Sequence, residues 1–180
     1  MNCLVTYAST YGSTKRYAQH IAQELSCDIQ ESKQVKPSDL ARYDVIIHGG
    51  GLYAGSLNGV KRLTKHFDAL RDKTLVLFSV GSGDPTNPDN VAQIRTGLRK
   101  VLPPEMEEKI QFFHVRGGVD YPNLKLGHKV MMAMFHKMMA RRGDALSPEE
   151  RETLDSYGTY VDYVDLDTIQ PLIDYVKGKG

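Results

Sequence analysis

The chemistry-bearing residues nearest the start of the chain are hydroxyls, Ser9-Thr10-Tyr11-Gly12-Ser13-Thr14, placed between an apolar run and a helical pattern that begins at about Thr14. A helix start offers unpaired backbone N–H groups and the positive end of the helix dipole, which together attract an anion. Ser and Thr hydroxyls add donors, and Gly12 lets the backbone curl around a ligand. The loop lacks the glycine spacing and the Lys-Ser/Thr pair of a Walker loop, and it is not G-x-G-x-x-G. Two readings stay open at this point: a phosphate cradle, or a plain N-cap in which Ser13 or Thr14 satisfies the helix start. Elsewhere the chemistry is sparse. His48, His66 and His114 are isolated, and His128 and His136 lie two helical turns apart, so neither an acid–base constellation nor a metal site is expected. Cys3 and Cys27 lack metal-ligand or CxxC spacing and are expected to be reduced structural residues.

The elements that position these residues alternate. Segments 2–7, 43–49, 74–80 and 110–115 are short β-branched or aromatic runs bounded by turn residues, and they read as buried strands, with a weaker one at 27–32. Between them, apolar residues recur at helical spacing. Tyr17, Ile21 and Leu25 mark one helix, Val60, Leu63, Phe67 and Leu70 a second over 59–70, and Val91, Ile94, Leu98 and Val101 a third over 88–101. Strand–helix alternation implies a doubly wound α/β domain with a parallel sheet covered on both faces. In such sheets ligands sit beyond the carboxyl ends of the strands, which singles out the four loops that follow the strong strands.

The motif S-T-Y-G-S-T after an apolar strand resembles the [S/T]-x-T-G-x-T phosphate loop of the flavodoxins. The resemblance implies a five-stranded sheet of order 2-1-3-4-5 and FMN as cofactor, its phosphate wrapped by Ser9, Thr10, Tyr11, Gly12, Ser13 and Thr14. It directs attention to the second loop, GGGLYAGSLNG, where Gly51, Leu52, Tyr53 and Ala54 are candidate contacts to the flavin ring and Tyr53 is the candidate to stack on it. The stretch from Gly49 to Ala54 also fits a loose dinucleotide pattern, but it follows the third strand instead of the first, so that reading is rejected. In the third loop Ser79, Val80, Gly81, Ser82 and Gly83 offer backbone amides to the polar edge of the ring.

Beyond 110–115 the chain does not close with a single helix. An insertion at about 117–160 carries five of the seven methionines between Met131 and Met139, and five basic but no acidic residues between Asn123 and Arg142. Val130, Met131, Met132, Met134, Phe135, Met138 and Met139 share one broad apolar arc, with Lys125, Lys129, Lys137 and Arg141 on the other side. Three roles stay open: a core helix with methionine filler, a basic amphipathic helix on a membrane surface or lining an apolar substrate site, and a partner interface.

The order Gly117-Gly118, Tyr121-Pro122, Met-rich helix, Arg142-Gly143-Asp144, YVDYVD resembles the menaquinone-dependent protoporphyrinogen oxidase branch of the flavodoxin superfamily. That resemblance adds Gly118 and Tyr121 to the candidate cofactor contacts. Where the branch has Tyr-Gly in its second loop, this chain has Ala54-Gly55, with Tyr53 one place earlier.

The leading expectation is an FMN-dependent redox protein in which the flavin carries the chemistry and no side chain is catalytic. One alternative is a protoporphyrinogen oxidase passing electrons to a quinone. Another is a flavin-free interaction module. The redox partner is either a protein or a quinone, with a porphyrinogen as possible substrate and peripheral membrane contact through 125–142. With 180 residues, a single domain is expected. The net charge of +1 gives no footprint for nucleic acid. No run reaches a membrane-spanning length, and no leader precedes the first strand, so the expected location is cytoplasmic, with a peripheral place at the inner face of the membrane left open.

Overall fold

The computed structural model describes residues 2–53 and 55–179. Its main elements are β1 (Cys3–Ala8), α1 (Ser13–Leu25), β2 (Asp28–Glu31), β3 (Val45–Tyr53), α2 (Val60–Lys65), β4 (Thr74–Gly81), α3 (Pro88–Arg99), β5 (Ile110–Arg116), α4 (Leu126–Ala140) and α5 (Gln170–Lys177). The five strands form one sheet in the order β2-β1-β3-β4-β5, every neighbouring pair parallel. This is the doubly wound order expected from the sequence, and it brings the carboxyl ends of β1, β3, β4 and β5 to one edge.

Burial on both faces explains why the strands read as continuous apolar runs instead of alternating ones. Val5, Ile47, Val76 and Phe78 face α1 and α5, packing on Tyr17, Ile21, Leu172, Ile173 and Val176. Leu4, Ile46, Leu75 and Leu77 face the other way, onto Val60, Leu63, Leu98 and Met106. The side chains alternate between two cores as the period of two requires. The expected helix over 59–70 is shorter than its apolar pattern: α2 stops at Lys65, and Phe67–Leu70 form a 3-10 turn that keeps Phe67 and Leu70 buried.

Two features differ from the sequence reading. First, β3 does not end at Gly49. It continues to Tyr53 and turns back through the two-residue strand Ser56–Leu57. The glycines are therefore strand residues. Gly49 lies under the ring of Phe78, which a Cβ would enter, and Gly50 has the Leu57–Asn58 turn against it. Second, Cys3 and Cys27 are not reduced but joined in a disulfide. Parallel pairing of Leu4 with Asp28 sets the two residues before them side by side, with Cα atoms 4.9 Å apart. Sheet register makes that pair, so a separation of 24 residues gave no sign of it.

The insertion begins with strand Val119–Asp120, paired antiparallel with Tyr160–Val161 of the YVDYVD segment. Between them lies α4, and Met139 is its one buried residue. A methionine-filled core helix is therefore not the arrangement found. Among the described residues no helix is long and apolar enough to cross a membrane.

Candidate functional site

The loop from β1 to α1 opens at the carboxyl edge of the sheet. Gly12 takes the N-cap position with φ of 100°, a conformation that a residue with a Cβ rarely adopts. No side chain caps the helix, so the N-cap reading of Ser13 or Thr14 is not realised. The hydroxyls are held in another way. Ser9 Oγ accepts from the Gly12 N–H at 3.1 Å, Ser13 Oγ from the Gly118 N–H at 3.1 Å, and Thr10 Oγ1 from Asn58 Nδ2 at 3.4 Å. Ser9 and Ser13, which accept from the protein, keep their own protons to donate, while Thr10 also bonds Tyr53. An uncapped helix start surrounded by such hydroxyls is a donor set suited to a phosphate, with no cation inside it. The neighbouring Arg16 is turned to Asp162 at 2.6 Å.

Beside this loop lies a cleft of about 360 Å³. Of the residues expected to bind the cofactor, Ser9, Tyr11, Ser13 and Thr14 line it from the first loop, Gly51, Leu52 and Tyr53 from the second. Val80, Gly81 and Ser82 line it from the third, and Gly118 from the fourth. Leu52 and Gly81 touch, since a Cβ on Gly81 would sit 3.0 Å from Leu52 Cδ1.

Other expected residues lie elsewhere, each for a local reason. Ser79 is fully buried and bonds His114 Nδ1 at 2.7 Å, because strand alternation turns Val80, not Ser79, toward the cleft. Gly83 lines a separate groove beside α3. Tyr121 is buried against Tyr157 with ring centroids 5.2 Å apart, so it supports the insertion. Gly12 faces a neighbouring hollow with Lys15 and Arg16, and Thr10 serves as the link to Asn58. Ala54 lies outside the described residues.

Tyr53 has partners on both sides. A Cβ on Gly51 would lie 3.0 Å from its ring, and His128 of α4 stacks on it with centroids 4.7 Å apart and planes 15° from parallel. The Tyr11 hydroxyl accepts from the Lys125 N–H at 3.1 Å and shares a hydrogen bond with His128 Nδ1 at 2.6 Å. Three rings from the first loop, the second loop and the insertion thus form one clasp. Tyr53, the expected partner of the flavin ring, stands at the cleft with one face against His128.

The rest of the cleft lies outside the expected cofactor contacts. Gly117 and Val119 come from the fourth loop, and Leu124, His128, Met131, Met132 and Phe135 from the insertion. The Met-rich arc was the available signal, but periodicity does not tell which part of an arc faces a cavity.

Burial perturbs two histidines at the sheet. Desolvation lowers His48 to about 4, against a hydrogen bond to Asn58 that pulls the other way. Desolvation, with Arg95 nearby, likewise lowers His114 to about 4. Both are therefore neutral near pH 7. Burial also raises the Tyr53 phenol, which shares a hydrogen bond with Thr10.

The sequence pattern of the flavodoxin domain matches residues 4–145. This chain belongs to the flavodoxin domain family. The flavodoxin domain's match takes in the whole sheet and α4. Comparison with curated proteins gives no match. Among solved structures it is similar to a flavoprotein in complex with FMN from Lactobacillus acidophilus NCFM, with 17% identity over 64% of this chain and 91% of that one, at a TM-score of 0.45. A flavodoxin from the domain Archaea is 15% identical over 86% of this chain and 95% of its own, at a TM-score of 0.42. An apo NADH:FMN oxidoreductase is 18% identical over 64% and 76%, at a TM-score of 0.44.

Proposed function

We propose that this flavodoxin domain is an FMN-binding redox protein whose cleft holds the flavin non-covalently. The observation that carries the reading is the uncapped start of α1, ringed by Ser9, Thr10 and Ser13 hydroxyls that already accept from the protein. Bound FMN supplies one- or two-electron transfer through its ring system. The protein's part is to hold and shield. The first loop donates to the phosphate, while backbone at Gly51, Gly81 and Ser82 offers polar contacts along the cleft. Leu124, Met131, Met132 and Phe135 keep water from its apolar side. A flavin-free interaction module has no use for that donor set. Titration of the apoprotein with FMN, followed by flavin fluorescence quenching, tests the proposal: saturable one-to-one quenching is expected, and a protein that takes up no FMN overturns it.

A second reading rests on the methionine-lined side. An electron shuttle needs an exposed ring edge and a polar docking face, whereas this cleft adds an apolar wall of flexible side chains. That wall suits a large, flat, apolar substrate, as in a protoporphyrinogen oxidase that passes electrons to a quinone. The outer side of α4 supports contact with an anionic membrane surface, where quinones reside. Leu126, Val130, Met134 and Met138 recur every fourth residue and are 80%, 54%, 69% and 56% exposed, flanked by Lys125, Lys129, Lys137 and Arg141. Anaerobic oxidation of protoporphyrinogen with a menaquinone analogue separates enzyme from shuttle. Flotation with anionic vesicles that survives Lys129→Glu plus Lys137→Glu rejects electrostatic membrane contact.

A further inference from the structure

His48 and Asn58 belong to no part of the cleft lining, yet they join the sheet core to the first loop. The His48 side chain is fully buried, with Nδ1 2.9 Å from Thr6 Oγ1 and Nε2 3.1 Å from the carbonyl oxygen of Asn58. A carbonyl only accepts, so Nε2 carries a proton; on the other side the Thr6 hydroxyl lies between Nδ1 and the Ile47 carbonyl at 3.3 Å, and burial disfavours the charged ring. Gly59 makes room for this ring, since a Cβ there would sit 2.8 Å from His48 Cε1.

Asn58 makes two further bonds. Its N–H donates to the Gly51 carbonyl at 2.9 Å, and its side-chain Nδ2 donates to Thr10 Oγ1 at 3.4 Å. One half-buried residue therefore ties together the end of β3, a buried histidine and the hydroxyl loop. Its backbone is fixed from two sides, which leaves the side-chain amide aimed at Thr10.

We propose that Asn58 is a positioning residue for the phosphate cradle, anchored by His48, and that it sets affinity for the phosphate end of the flavin and not for its ring. The inference rests on the FMN reading above. Without the amide, Thr10 loses one of its two ties to the β3 side and is left with its bond to Tyr53, while the loop between β1 and α1 keeps its internal Ser9–Gly12 bond and its contacts to the insertion. The backbone bonds of Asn58 survive truncation of the side chain, so Asn58→Ala retains the turn.

The test compares FMN with riboflavin, which has the same ring and ribityl chain but no phosphate. Fluorescence titration of wild type and Asn58→Ala is expected to show FMN weakened about five- to tenfold, the loss of one hydrogen bond's support. Riboflavin affinity is expected to stay within about twofold, a split that general loss of stability does not produce. His48→Gln, which keeps an N–H donor, is expected to fall between the two. Equal losses for both flavins, or unchanged FMN affinity in Asn58→Ala, overturn the positioning role while leaving FMN binding intact. A wild type that binds FMN no better than riboflavin overturns the cradle and this role together.

Discussion

His48 allows a prediction with a worked sign and size. Its imidazole is fully buried between Thr6 and Asn58, and desolvation lowers it from 6.5 to about 4. Between those values the unfolded chain binds a proton that the folded one refuses, so stability rises with pH there. The contribution is complete above about pH 6.5 and is lost as pH falls toward 4. The gap between the two values sets its ceiling at about 3 kcal/mol, and at about pH 4.5 roughly 2–3 kcal/mol of it is gone. The assay is urea unfolding of apoprotein from about pH 7.5 to about pH 4.5, for wild type and His48→Gln. His114 is lowered in the same direction, and Asp84, Glu150 and Asp162 are lowered carboxyls that act at more acid pH. All of them are present in both proteins and cancel in the difference. The variant is expected to be less stable at neutral pH and to converge on wild type as the solution is acidified. Parallel curves would mean that His48 titrates normally in the fold, and the tautomer assigned to it would fall with them.

Further outcomes follow from the same geometry. Ser13→Ala removes a hydroxyl of the cradle and the acceptor of the Gly118 N–H, and is expected to weaken FMN by about 1–3 kcal/mol in the fluorescence titration; unchanged affinity places the phosphate elsewhere. Gly49→Ala drives a methyl group into the Phe78 ring and is expected to lower urea stability by about 1–3 kcal/mol, whereas a neutral effect would contradict the packing there. Reduction of Cys3–Cys27, which closes a 24-residue separation, is expected to cost about 3 kcal/mol in the same assay; a reducing agent without effect would show the pair to be thiols in solution. Phe135→Glu places a charge on the apolar side of the cleft and is expected to weaken FMN in the fluorescence titration; unchanged affinity would mean that α4 does not wall the flavin.

What the sequence disclosed and what it hid divide along a physical line. The five strands and their helices were legible because local pattern governs them: Val5, Ile47 and Val76 sit in apolar runs that only two-sided burial explains. The hydroxyl loop was legible because a helix start needs partners and its residues are contiguous. The features that were missed depend on register or on contacts distant in sequence. The Ser79 hydroxyl bonds His114, a contact set by strand alternation and by the register of β4 on β5. The three glycines after Ile47 suggested an open loop, while two of them are fitted to Phe78 and Leu57. The disulfide arises where β1 meets β2, and no local signal marks that pairing.

The insertion shows how far such contacts can reach. Tyr11 stands in the middle of the hydroxyl loop, yet its ring and hydroxyl belong to the far side of the cleft, at Lys125, His128 and Tyr53. The hydroxyl loop and the helix that supplies Met131, Met132 and Phe135 therefore share one joint. At its other end α4 is fixed by buried Met139 and by His136 stacked on Tyr157 at 4.1 Å. A helix pinned at both ends and exposed along its outer face keeps its inner side chains over the cleft without needing a core of its own. His128 thus holds Tyr53 by its ring face and Tyr11 by its Nδ1, joining the second loop, the hydroxyl loop and α4 through one side chain.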